Sequence, residues 1–229
     1  MMLHVDVLEA IARSVVNEPW GLGLPYLNNA EAASPYYRFL HGVVSLLKPH
    51  IVVECGTYIG VAAEHMALAN AGTHVISVDH STRTEAINAA KRHGNIELIH
   101  GDTVSSAYIV ERICNELHCA VGLLFLDSQH DSDTPRAEFE AYFHLLEDES
   151  LVVCDDILDP KMKIFWDWLP GDKHEMHFLH PSQYPNFPEP GFGISIIRKN
   201  CSHDFEAVWL TNDLLGYRCK LCKVETVEI

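Results

Sequence analysis

Basic residues are scarce in this chain: 16 Lys and Arg stand against 32 Asp and Glu, a formal charge of −16. A broad nucleic-acid surface needs the opposite balance, because Lys and Arg hold the phosphate backbone. A small-molecule ligand is expected instead. Long apolar runs are missing too. No stretch approaches the ~18–20 apolar residues that span a bilayer, and Asp6, Glu9, Arg13 and Glu18 interrupt the first twenty residues where a signal peptide would be apolar. A cytoplasmic protein that avoids membranes is expected. The seven cysteines are odd in number and suit thiols or metal ligands better than a disulfide framework. With 229 residues, 48% of them hydrophobic, there is room for one α/β domain and a small appendage.

A glycine is also missing at one informative place. Ile51 to Ala63 reads IVVECGTYIGVAA, an apolar run, a turn with Gly56 and Gly60, and the start of a helix rich in Ala, Leu and Met. Such a strand–turn–helix unit points backbone N–H groups at a ligand from the carboxyl edge of a parallel sheet. A pyrophosphate cradle wants G-x-G-x-x-G, but the first of those positions is Glu54. A carboxylate repels phosphate and suits a cation, and S-adenosylmethionine carries an ammonium and a sulfonium. The segment resembles the first motif of the class I S-adenosylmethionine-dependent methyltransferases, acidic-x-Gly-x-x-x-Gly, through Glu54, Gly56 and Gly60. The resemblance implies that this turn, with Thr57 and Tyr58, binds the methyl donor. An ordinary βα turn or a degenerate dinucleotide site is the competing reading.

Around this unit the pattern alternates. Residues 3–18 have helical spacing until Asn17-Glu18-Pro19, and Trp20 to Leu27 reads as a lid-like loop. Ser34-Pro35 opens a helix that Lys48-Pro49 ends. Strands are expected at 74–79, 96–100, 121–126 and 151–154, with helices at 61–71, 82–92, 103–118 and 134–146. Two more strands, 175–179 and 193–197, flank a proline-rich loop. Asp79, followed by His80, lies ~20 residues beyond the glycine turn, where a ribose-binding carboxylate belongs. The resemblance implies a place near the adenine for Asp102 and Thr103, although Asp102 also suits a helix cap. The expected fold is α/β: a Rossmann-like seven-stranded methyltransferase sheet, its last strand antiparallel, with helices on both faces. Residues 1–33 would form an N-terminal helix and lid, 34–199 the donor-binding domain, and 200–229 a tail.

Asp127 and the pair Asp155-Asp156 end successive strands and should meet at the ligand edge. Three converging carboxylates raise one another's pKa, and a hard divalent ion such as Mg²⁺ would relieve them. Leu126 to His130 with Cys154-Asp155-Asp156 resembles the macrocin O-methyltransferase and cephalosporin-hydroxylase-like group. That resemblance implies metal binding by Asp127, Asp155 and Asp156 and methylation of an acceptor hydroxyl. Gln129 departs from the group by replacing an aspartate proposed as base, so His130 becomes the next candidate, beside Asp127. Strand-end aspartates that cap helices, and a structural histidine, are the plainer alternatives. The acceptor walls are expected in 20–27, 157–168 and 181–192, which carry Phe165, Trp166, Trp168 and Phe192 among their aromatics.

In the tail, Cys201 and His203 with Cys219 and Cys222 match the four donors of a structural Zn²⁺ site, which would make a zinc-ribbon-like unit. It is the expected contact for a second copy or a protein partner. Three functions therefore compete: a metal-assisted O-methyltransferase of a small hydroxylated acceptor, a non-catalytic adaptor of the same fold favoured by Gln129, and an NAD-linked oxidoreductase that Glu54 disfavours.

Overall fold

The computed structural model describes residues 6–11, 35–176 and 191–199, and the backbone of 205–211, 214–219 and 225–226. The lid-like loop, most of the N-terminal helix and the proline-rich loop lie outside the described residues. Helix α1 covers 6–11, and α2 (Pro35–Leu47) leads into β1 (Ile51–Cys55). Then α3 (Val61–Ala69), β2 (His74–Asp79), α4 (Thr84–Arg92), β3 (Ile96–His100), α5 (Ala107–Leu117) and β4 (Val121–Leu126) alternate. Helix α6 (Thr134–Tyr142), β5 (Leu146–Cys154), α7 (Pro160–Trp168), β6 (Asp172–Met176) and β7 (Phe192–Arg198) complete one sheet. Its order is β3-β2-β1-β4-β5-β7-β6, with β7 antiparallel to β5 and to β6. The expected fold is the observed one. A second sheet, β10-β9-β8, is built from β8 (Phe205–Thr211), β9 (Leu214–Cys219) and β10 (Glu225–Thr226).

All five residues of β1 are buried because the strand lies in mid-sheet with helices on both faces. Its side chains alternate. Ile51, Val53 and Cys55 join Val110, Phe139, Tyr142 and Phe165 of α5, α6 and α7 in one core. Val52 joins Phe39, Val43, Ala63 and Met66 of α2 and α3 in the other, with Leu8 of α1. Phe192 belongs to this second core, 5.3 Å from the Tyr36 ring and 5.8 Å from that of Phe125. Phe165, Trp166 and Phe192 are 0–3% exposed, so they pack the interior rather than line an acceptor pocket. Trp168, at 37%, reaches the surface.

Several boundaries differ from expectation, among them β6, which begins at Asp172 rather than at residue 175. Strand β5 starts at Leu146, not Leu151, and the preceding helix ends at Tyr142 with one 3-10 turn after it. The polar run Glu147 to Ser150 looks unlike a strand, but Glu149 and Ser150 pair with Arg198 and Ile197 of β7, and an Arg198–Glu149 contact of 3.4 Å supports that ladder. Helix α5 begins at Ala107, after a turn at 103–106.

The glycine turn fits the sheet edge closely. Gly56 has φ +99°, and a Cβ there would lie 2.0 Å from the Asp127 carbonyl oxygen. Gly94 has nothing within 4 Å of an added Cβ. Gly56→Ala should therefore cost more than ~3 kcal/mol, whereas Gly94→Ala should change stability by less than ~1 kcal/mol. Urea denaturation of both variants checks this, and equal midpoints would refute the close approach.

Candidate active site at the carboxyl end of the sheet

Backbone bonds extend the ladder beyond the strands and bring their ends together. Gly56 donates to the Val78 carbonyl (2.9 Å), Asp127 to that of Cys55 (2.9 Å), Asp155 to that of Leu126 (3.2 Å) and Gly101 to that of Asp79 (2.9 Å). The carboxyl groups at the carboxyl ends of β1 and β2 and just after β4 and β5 therefore gather at one edge, as parallel strands require.

Glu54 is the innermost of them and is fully buried. It lies opposite Ser77 in the β1–β2 register, and the Ser77 hydroxyl donates to its Oε2. Thr57, on the turn, is hydrogen-bonded to the same hydroxyl at 2.6 Å. The Glu54 Oε1 has no hydrogen-bond partner among the described residues. Burial, reinforced by the Asp127 and Asp79 carboxylates, raises its pKa to about 8, against the Ser77 hydrogen bond. Glu54 thus sits beneath the rim, reaching the turn through Ser77 and Thr57.

Asp79 follows a different logic. Its Oδ2 accepts the Tyr58 N–H at 2.9 Å and its Oδ1 the Ser81 N–H at 2.7 Å. Partial burial pushes its pKa up, but these bonds outweigh it and leave the carboxyl below its ordinary value. Tyr58 has φ +47°, and the Arg83 guanidinium lies 4.2 Å from its ring centroid. Gly60 caps α3 at φ +82°. His80 is exposed, its Nδ1 3.4 Å from Asp79. Asp102 is exposed and accepts the Ser105 N–H at 2.8 Å, the capping geometry of the turn before α5.

Asp127, Asp155, Asp156 and His130 come together, as their strand-end positions require. His130 Nδ1 is 2.5 Å from Asp156 Oδ2, and its Nε2 is 3.7 Å from Asp127 Oδ1. Asp156 takes φ +54° and donates its N–H to Asp155 Oδ1 at 2.9 Å. Burial and the neighbouring Asp127 carboxylate hold Asp155 well above the ordinary range, and burial raises Asp127 as well. Asp127 and then Asp156 raise His130 to about 10. The imidazole is therefore a cation at neutral pH.

Three oxygen-bearing carboxylates are the right donor type for Mg²⁺. Their arrangement does not form a ligand shell, because His130 bridges Asp127 and Asp156 and supplies the positive charge they need. Among the described residues no group of three or more His, Cys, Asp and Glu has a metal-holding geometry. Of the expected zinc donors, Cys201, His203 and Cys222 lie outside the described residues, and Cys219 is described only as the backbone end of β9.

Residues 53–157 match a family described as a methyltransferase domain. No curated protein matches the chain at a significant level. Among solved structures, the O-methyltransferase from Bacillus cereus in complex with SAH is 17% identical with a TM-score of 0.59, covering 86% of this chain and 93% of its own. The O-methyltransferase TomG of Streptomyces achromogenes, involved in tomaymycin synthesis and solved in complex with SAM, is 18% identical with a TM-score of 0.59, covering 86% and 92%. The fold is thus the Rossmann-like methyltransferase fold. Among the described residues no helix is long and apolar enough to cross a membrane.

Sequence reasoning passed over Ser77, Ser128, Tyr142 and Glu138. Glu138 was detectable: the buried positions of α6 are Pro135, Glu138, Phe139 and Tyr142, so a carboxylate occupies the helix's apolar stripe.

Glu54 yields a pH test. Its folded pKa lies above its ordinary 4.5, so the folded state holds the proton longer. Stability is then lost as pH rises from about 4.5 to about 8, and the penalty is complete above that. Glu54→Gln keeps an acceptor for Ser77 but cannot ionise. Between pH 5 and pH 8.5 its stability should gain on the parent by on the order of 2–4 kcal/mol in urea melts. Parallel pH profiles would sink the assignment.

Proposed function

We propose that this chain is an S-adenosylmethionine-dependent methyltransferase acting on a hydroxyl oxygen of a small acceptor. The carrying observation is the gathering of Glu54, Asp79 and Asp127 at the carboxyl edge of a sheet whose first turn puts an acid where a pyrophosphate site needs glycine. Asp79, held ionised by its backbone hydrogen bonds, gives that edge a negative charge suited to a cationic donor, and Glu54 beneath it fixes the turn. The family match and the SAM- and SAH-bound O-methyltransferases of like fold support the same reading.

In this reading the turn at Gly56 to Gly60 takes the methionine end of the donor, and Asp79 accepts from the ribose hydroxyls. Asp102, Thr103 and His80 lie on the adenine side. Transfer is an in-line displacement: the acceptor oxygen bonds to the methyl carbon as the carbon–sulfur bond breaks, and the sulfonium leaves as a neutral thioether. The hydroxyl proton passes to Asp127. His130 is already protonated, so it orients Asp127 and balances its charge, and Gln129 has no proton to take. The ion-assisted variant, with Mg²⁺ among Asp127, Asp155 and Asp156, would require His130 to leave its place between the carboxylates.

Calorimetric titration should show S-adenosylmethionine binding and none of NAD; the reverse result removes the cofactor assignment. Asp79→Ala should weaken donor binding about tenfold or more, as expected for lost charge-assisted hydrogen bonds. Asp127→Asn should leave donor affinity near that of the parent and lower turnover on a hydroxylated acceptor by ~100-fold or more. Turnover should survive EDTA; loss restored by Mg²⁺ would favour the ion-assisted variant, and donor binding without turnover on any acceptor would favour the adaptor.

A further inference from the structure

Glu138 is fully buried on α6, in the stripe that faces the sheet. A carboxyl group in such a position is costly unless it is bonded. Its Oε1 accepts two hydroxyls, Thr103 Oγ1 at 2.5 Å and Ser128 Oγ at 2.6 Å. Its Oε2 is buried with no hydrogen-bond partner among the described residues. One turn further along α6, the Tyr142 hydroxyl donates to the Thr103 carbonyl at 2.8 Å. The helix therefore grips Thr103 twice and Ser128 once.

The two gripped residues belong to loops that the sheet cannot join. Thr103 follows β3 and Ser128 follows β4, and the order β3-β2-β1-β4 puts two strands between them. Thr103 adjoins Asp102 on the donor's adenine side. Ser128 lies between Asp127 and His130 on the acceptor side. Ordinary core packing needs none of this: a leucine would fill the stripe without desolvating a carboxyl group.

We propose that Glu138 is a positioning residue that locks the loop at Thr103 and the loop at Ser128 into one mutual register, so that disturbing one loop loosens the other. Its bearing on donor and acceptor rests on the proposed function; the lock itself does not. Burial raises Glu138 to about 7, against the two hydroxyl bonds, and the neutral acid keeps a carbonyl oxygen that accepts both.

The test uses the full chain without ligand. Thr103→Val removes one hydroxyl with little change in shape, and amide hydrogen exchange should then quicken about tenfold across residues 127–133 as well as near Thr103. Glu138→Gln retains an acceptor oxygen and should hold both loops near the parental rate, whereas Glu138→Leu should loosen both. Exchange changes confined to the mutated loop would overturn the lock, as would Glu138→Gln behaving like Glu138→Leu. Titration of S-adenosylmethionine then reads the consequence: Ser128→Ala, altered on the acceptor side, should weaken donor binding about threefold or more, and unchanged affinity would overturn the coupling to the donor. A parent chain that binds no S-adenosylmethionine would remove the proposed function, while the exchange result still decides the lock.

Discussion

The contact between Glu54 and Ser77 governs how this sheet edge is built. Parallel pairing of β1 and β2 sets the two residues side by side, and helices covering both faces of β1 leave a carboxyl group there no route to water. A buried acid must then find a donor or keep its proton. Ser77 is that donor, and because its hydroxyl is committed to Glu54, the hydrogen between Thr57 and Ser77 belongs to Thr57. The acid thereby fixes the first residue of the turn after Gly56. Tyr58, next along, gives its N–H to Asp79 at the end of the neighbouring strand. One buried carboxyl group thus propagates order from the strand into the loop.

Along this edge each acid has a distinct means of being tolerated. Asp79 takes backbone N–H groups and stays ionised. Asp155 and Asp127, side by side and partly buried, have pKa values raised above the ordinary range. Asp156 is paired with the His130 imidazolium. Glu138 shares one oxygen between two hydroxyls. Elsewhere, Glu64 is buried against Arg92 and His93, a structural ion cluster linking α3 to α4. Arg92 neutralises Glu64, whereas at the sheet edge Asp79 and Asp102 stay ionised without such a partner, and a ligand of positive charge would meet an attractive field.

How much of this was legible in the sequence follows from which forces act locally. Strands β1, β2, β3 and β4 were legible because strands in a covered parallel sheet read as apolar runs, and Gly56, Gly60 and the strand-end aspartates marked the edge. The start of β5 was not, since Glu147 to Ser150 become strand through pairing with β7, which the local sequence does not encode. Phe165 and Trp166 looked like pocket walls because aromatic content says nothing about which face of α7 meets the sheet. The protonation of His130 was hidden for a related reason. It depends on Asp127, three residues before it, and on Asp156, 26 residues away in sequence, which only the fold brings to 2.5 Å. Glu138 could have been found from the stripe of α6, although its partners, Thr103 and Ser128, could not.

The state of His130 also decides where a proton could travel at this edge. An imidazole with an ordinary pKa would be the natural base at neutral pH, but between Asp127 and Asp156 it carries its proton well above neutrality. A group already protonated cannot accept another, so the proton released by an acceptor hydroxyl has to reach a carboxylate. Among the neighbouring acids, Glu54 is sealed beneath the turn, and burial beside Asp127 raises Asp155 well above the ordinary carboxylate range. Asp127 is half-buried, follows the strand beside β1, and has the imidazolium to stabilise its ionised form. Burial makes Asp127 more basic than an ordinary aspartate, and the neighbouring His130 pulls the other way. Balance between those two influences, more than either residue alone, would give this edge a usable base.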